Sequence, residues 1–135
     1  MGTFRIATYN VNSIRNRLHI IIPWLKEHRP DVLCMQETKV ADDRFPQGEF
    51  QAAGYHTIFG GAGRYNGVAI ASREEPEAVQ RGLADDGPPD EDRLIAATFK
   101  GIPVVNTYVP QGKKRETAQF AYKLAWFERL KKFFV

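Results

Sequence analysis

Apolar positions along this chain recur with a period of two or of three to four, and the switches between the two periods mark its elements. Phe4, Ile6 and Thr8 alternate with Arg5, Ala7 and Tyr9, which predicts a first strand from Phe4 to Val11. Ile14, Leu18, Ile21, Ile22 and Leu25 then keep helical spacing up to His28-Arg29-Pro30. Pro23 interrupts that run, and proline is tolerated in a first turn, so the regular helix is expected from about Ile20, after an irregular turn. Val32-Leu33-Cys34-Met35 is apolar without alternation, as in a strand buried on both faces, and ends abruptly at Gln36-Glu37-Thr38-Lys39.

The polar stretch from Ala41 to Gln47 is broken by Pro46, and a short helical piece follows to Ala53. Gly54-Tyr55 turns the chain into a strand at His56 to Phe59. Gly60 to Gly67 is glycine-rich, but it matches neither the dinucleotide fingerprint nor a phosphate loop, so a hairpin connection is expected. Val68 to Ala71 is again apolar on both faces. Residues 82 to 92 are acidic and proline-broken without the alternating ligands of a calcium loop, and are expected to be solvated. Leu94 to Phe99 and Ile102 to Val109 predict an antiparallel pair turning at Lys100-Gly101, with Pro103 near the start of its strand or on an edge. Glu116 to Phe134 predicts a helix whose buried stripe is Phe120, Leu124, Phe127, Leu130 and Phe134.

With 135 residues, 43% apolar and 26% charged, the chain is expected to be one soluble domain with a sizeable core. Cys34 lies inside an apolar strand and reads as a small core residue, and a reducing, cytoplasmic setting is expected. A net charge of +3 permits a phosphate-rich partner without demanding one. No membrane partner is expected, because no apolar run approaches the roughly 18 residues a membrane helix needs.

Three strand ends carry polar residues suited to chemistry: Asn10 and Asn12; Gln36, Glu37 and Lys39; and Tyr108 and Gln111, followed by Lys113-Lys114-Arg115. In open α/β sheets the carboxyl ends of strands are where ligands meet the chain. By spacing alone, Glu37 fits either a solvated strand end or a site for a cation and a phosphate, and the asparagines fit a plain strand-to-helix turn.

Taken together, Tyr9-Asn10-Val11-Asn12-Ser13-Ile14-Arg15, Gln36-Glu37-Thr38-Lys39, Asn66-Gly67-Val68-Ala69 and Tyr108-Val109-Pro110-Gln111-Gly112 resemble the exonuclease III family of apurinic/apyrimidinic endonucleases. The resemblance runs from Phe4 to the last helix. It implies an α/β fold: the N-terminal half of a four-layer sandwich, with one mixed β-sheet, helices on one face, and the other face bare until a second half covers it. A homodimer through that bare face is the corresponding expectation. It further implies that Glu37 ligates Mg²⁺ or Mn²⁺, that Asn10 and Asn12 lie beside the metal, and that Asn10 and Tyr108 belong to the catalytic set. Arg15, Arg64, Gln111, Lys113, Lys114 and Arg115 would lie along double-stranded DNA carrying abasic sites or 3′ ends. The family's water-activating aspartate, its partner asparagine and an Asp-His pair match nothing here, so this chain alone is expected to be an inactive half-enzyme. A non-catalytic DNA-binding or assembly module is the alternative.

Overall fold

A computed structural model of the chain describes residues 2–87, 92–112 and 114–134. Strand β1 (Ile6–Asn10) leads through helix α1 (Ile14–His28) to β2 (Val32–Gln36), a crossover that sets β1 and β2 parallel. A single 3₁₀ turn at Asp42–Arg44 and helix α2 (Gln47–Ala52) precede the antiparallel hairpin of β3 (His56–Gly60) and β4 (Val68–Ser72). Strand β4 inserts against β2, giving a first sheet of order β1-β2-β4-β3. Strands β5 (Glu77–Arg81), β6 (Leu94–Phe99) and β7 (Ile102–Thr107) form a second, antiparallel sheet, and helix α3 (Ala118–Phe133) follows.

Strand alternation sorts the core into three apolar layers. Leu33, Met35, Ala69 and Ala71 face Ile14, Ile21 and Leu25 of α1 and Phe50 of α2. Val32, Cys34, Val68 and Ile70 point the other way and meet Ile95, Ala97, Phe99 and Val104 of the second sheet. Leu94, Ala96 and Val105, on the far side of that sheet, pack on Trp126, Leu130 and Phe133 of α3. The chain therefore builds all four layers, helix–sheet–sheet–helix, by itself.

That arrangement confirms the α/β sandwich and corrects the expectation of one sheet with a bare face. The hairpin from Leu94 to Thr107, with β5, covers the face that sequence pattern left open. Strand β5 escaped detection because it is short, polar and bulged between Glu77 and Gln80, with Ala78 at φ 52°. A homodimer through an uncovered sheet face loses its basis for the same reason. What lies open instead is a pair of edges. Among the described residues β1 pairs only with β2, and β7 only with β6. Between these edges Ile6, Thr8, Cys34, Gln36 and the stretch 103–107 line a cleft of about 420 Å³.

Two helix expectations also change. Helix α1 starts at Ile14, not near Ile20, and carries Pro23 in its interior. Ser13 caps it by accepting from the Asn16 N–H at 3.3 Å, and burial of Ile14, Ile21 and Leu25 holds the turns on both sides of the exposed proline. In α3 the buried residue is Trp126, while Leu124, Phe127 and Phe134 are 51%, 42% and 62% exposed. The stripe is rotated because the Trp126, Leu130 and Phe133 positions also keep helical spacing, and the largest side chain takes the sheet-facing place. Cys34 is buried as expected, and burial pushes its thiol up to about 11.

Candidate active site

The ends of β1, β2 and β7 and the β3–β4 loop meet at one end of the sandwich, laced by main-chain hydrogen bonds. Val11, Ser13 and Ile14 donate to the carbonyls of Gln36, Glu37 and Thr38 at 2.9, 2.8 and 3.0 Å. Thr38 and Lys39 in turn donate to Gly67 and Asn66 at 3.2 and 2.9 Å, and Gly67 donates to Asp92 at 2.9 Å. Gly67 sits at φ 100°, and a Cβ there would come within 2.1 Å of the Thr38 hydroxyl, so only glycine lets these loops close. Asn12, Ser13, Glu37, Lys39 and Asn66 all have left-handed φ values between 43° and 85°. Asparagine adopts that region readily, whereas Ser13, Glu37 and Lys39 do so at a cost.

On this frame the Glu37 carboxylate is the focus. Asn10 donates Nδ2–H to its Oε1 at 3.2 Å, Lys39 Nζ stands 3.5 Å from its Oε2, and the Tyr108 hydroxyl hydrogen-bonds to it. Asn10 turns its Oδ1 to the Asn12 N–H at 3.1 Å, and Asn12 Oδ1 accepts from Lys39 Nζ at 2.6 Å. Burial pushes the Glu37 carboxyl up, but the hydrogen bonds from Tyr108 and Asn10 and the Lys39 charge outweigh it and hold the group below the ordinary range. The Tyr108 hydroxyl moves the opposite way: burial raises it, and its bond to Glu37 and the carboxylate charge add to that, against the opposing Arg93 charge.

Of the residues expected from sequence, the structure thus gathers Asn10, Asn12, Glu37 and Tyr108 into one cluster. The basic set is more scattered. Arg15 lies in the first turns of α1 and donates to the Arg44 carbonyl at 3.0 Å. Arg64 is exposed and lies over the Tyr65 ring, with no recorded contact to the Glu37 cluster among the described residues. Gln111, Lys114 and Arg115 are exposed beyond β7, and Lys113 lies outside the described residues. The acidic loop is not merely solvated. Asp85 takes two bonds from Arg129, at 2.9 and 2.7 Å, which hold its carboxyl down to about 2. Asp92 accepts from Asn66 Nδ2 at 3.0 Å and so anchors the Gly67 turn. Residues 88–91 of that loop lie outside the described residues.

Sequence reasoning missed Arg93 and Asn106. Arg93 lies over the Tyr108 ring, 5.0 Å from its centroid, and donates to the Tyr108 carbonyl at 3.2 Å. Asn106 is 2% exposed, on the inward face of β7 two residues before Tyr108. The available signal was a carboxamide at an inward position of an otherwise apolar strand.

Carboxylate, carboxamide and phenol thus gather at the strand ends of an α/β/β/α sandwich. The chain belongs to the endonuclease/exonuclease/phosphatase family, whose model matches residues 7–132. It is 34% identical over 115 residues to exodeoxyribonuclease III of Haemophilus influenzae, a match covering 82% of this chain and 43% of that protein. Among solved structures it superposes with a TM-score of 0.94 on an AP endonuclease from Archaeoglobus fulgidus, at 59% identity, over 97% of this chain and 51% of that one. A Neisseria 3′ phosphatase bound to a product DNA hairpin gives a TM-score of 0.92 at 40% identity, over 97% of this chain and 51% of that one. This chain therefore spans about half the length of the relatives it matches.

The donor set suits a hard cation held by few protein ligands. One carboxylate and the carboxamide oxygens of Asn10 and Asn12 lie together, and no group of three or more His, Cys, Asp or Glu gathers among the described residues. Magnesium and manganese accept such sparse, oxygen-only sites because they keep much of their water. Asn10 presents its nitrogen to Glu37 and so orients the carboxylate, and Lys39 Nζ reaches both Glu37 Oε2 and Asn12 Oδ1.

Proposed function

We propose that this chain carries half of a metal-dependent DNA-repair phosphodiesterase of the abasic-site endonuclease and 3′-exonuclease type. The observation that carries the reading is the Glu37–Asn10–Tyr108 cluster, in which side chains from two other strand ends converge on the Glu37 carboxylate. A bound Mg²⁺ or Mn²⁺ would polarise a phosphate oxygen and offset the charge that develops on it. Glu37 and the oxygens of Asn10 and Asn12 are the groups to hold it. Tyr108 would be the donor for a nonbridging phosphate oxygen. Lys39 supplies a positive charge at the same place.

Double-stranded DNA with abasic sites or 3′ ends is the substrate under this reading. Arg15, Arg64, Gln111 and the Lys113-Lys114-Arg115 run contact its backbone without reading sequence. Turnover needs groups beyond these, because the cluster has one carboxylate and no histidine. The chain alone is therefore inactive. The open β1 and β7 edges are where a second polypeptide, including a second copy, would pair. A cytoplasmic setting belongs to the same reading.

The test is incision of abasic-site duplex with Mg²⁺, by this chain alone and with a polypeptide spanning the remaining length of a relative. The expected result is incision only with the added polypeptide, abolished by Glu37→Ala. Incision that survives Glu37→Ala would refute the site. DNA binding without incision in either arm would favour the non-catalytic module.

A further inference from the structure

Two sheets packed through aliphatic side chains attract each other strongly but without direction. The layer of Val32, Cys34, Val68 and Ile70 against Ile95, Ala97, Phe99 and Val104 resists separation and sets little about how one sheet slides on the other. Yet the Glu37–Tyr108 contact spans the two sheets, since Glu37 leaves β2 and Tyr108 leaves β7. Something directional has to hold that alignment.

One side chain is placed to do so. The Asn106 carboxamide, 2% exposed, donates both N–H groups across the sheets, to the Met35 carbonyl at 3.0 Å and the Ala69 carbonyl at 2.8 Å. Met35 and Ala69 are register partners in β2 and β4, so one side chain grips two adjacent strands. Its Oδ1 accepts from Gln36 Nε2 at 2.8 Å, and Gln36 also donates to Thr8 Oγ1 on β1 at 2.9 Å. The carboxamide's two donors are both used and its oxygen is engaged, in a buried setting where such bonds are strong and costly to break. The network thus ties β7 to β1, β2 and β4 one residue before Glu37 and two before Tyr108.

We infer that Asn106, with Gln36, is a positioning residue that aligns the second sheet on the first so that Tyr108 meets Glu37. This rests on the proposed cation site at Glu37 and adds to it the element that sets its geometry. Tyr108 stands one step from the proposed ligand Glu37, and partners of that kind are typically worth about 10–100-fold in metal affinity.

The experiment places a fluorotyrosine at position 108 of the full chain and reads its fluorine resonance, with Mn²⁺ affinity measured separately by calorimetry. Glu37→Gln defines the resonance position without the carboxylate charge. Asn106→Leu, which keeps the branching at Cγ and deletes every hydrogen bond, should carry the resonance toward that position and weaken Mn²⁺ about 10-fold or more. Gln36→Leu, at a part-exposed site, serves if Asn106→Leu does not fold and should shift the resonance the same way. Val104→Ala, a truncation in the same inter-sheet layer, should lower the melting temperature and leave the resonance in place. A resonance unmoved by both Asn106→Leu and Gln36→Leu, or moved equally by Val104→Ala, would overturn the positioning role. Mn²⁺ affinity unchanged by Glu37→Gln would instead overturn the cation site itself, whatever Asn106 does.

Discussion

Replacing Trp126 tests how α3 is held. Its indole is fully buried against Leu83, Leu94, Leu130 and Phe133, and its Nε1 has no hydrogen-bond partner among the described residues. Two opposing effects therefore act in Trp126→Phe. Loss of roughly 40 Å² of buried ring costs about 1 kcal/mol at about 25 cal/mol per Å². Removing an unpaired buried N–H returns about 1–3 kcal/mol. The sum is near zero or favourable. Trp126→Ala removes the whole indole and leaves a cavity, for which about 3–5 kcal/mol is usual, and the N–H relief of about 1–3 kcal/mol brings the expected loss to a value centred on about 2 kcal/mol. A loss of that size is a large share of the roughly 5–15 kcal/mol that holds a typical domain. Urea unfolding followed by circular dichroism measures both variants against the unaltered chain. The expected order is Trp126→Phe close to the starting protein and Trp126→Ala well below it. A Trp126→Phe loss well above about 1 kcal/mol would show that the indole nitrogen has a partner. A Trp126→Ala loss no greater than that of Trp126→Phe would show that α3 does not pack on the second sheet.

Glu37→Ala should abolish any Mg²⁺- or Mn²⁺-dependent rise in melting temperature, and a rise that survives places the cation elsewhere. Replacing Lys113, Lys114 and Arg115 together by Ala should lower DNA affinity and reduce the slope of log affinity against log salt by up to about 2.7, as filter binding across salt concentrations would show. Asp85, held down by Arg129, contributes stability that is present above the ordinary carboxylate range and lost as pH falls toward about 2. Melting curves of Asp85→Asn and the unaltered chain should therefore differ at neutral pH and converge in acid. Self-association, measured by sedimentation, should fall when Thr8→Pro blocks the β1 edge, and insensitivity to that change would exclude the edge as the contact.

Much of the site was legible along the chain because its residues sit where strands stop. Asn10, Glu37 and Tyr108 each follow an apolar or alternating run, and the end of a run is a local feature that needs no knowledge of partners. The strands at 32–35 and 68–71 and the hairpin turning at Lys100-Gly101 were legible for the same reason. What periodicity cannot carry is which face meets which. The hairpin's apolar residues sit on both faces, and only packing shows Ile95 and Phe99 against the first sheet while Leu94 meets α3. Strand β5 is held by its neighbour's hydrogen bonds rather than by its own polar side chains, so nothing local announces it. Pro23 stays inside α1 because burial on either side outweighs one missing N–H, a balance set by tertiary contacts. In α3 two apolar stripes were available, and the choice of Trp126 over Phe127 belongs to the surface beneath it. The meeting of Glu37 with Tyr108 likewise depends on the lateral fit of two sheets, which the Asn106 bonds to Met35 and Ala69 span across about half the chain's length.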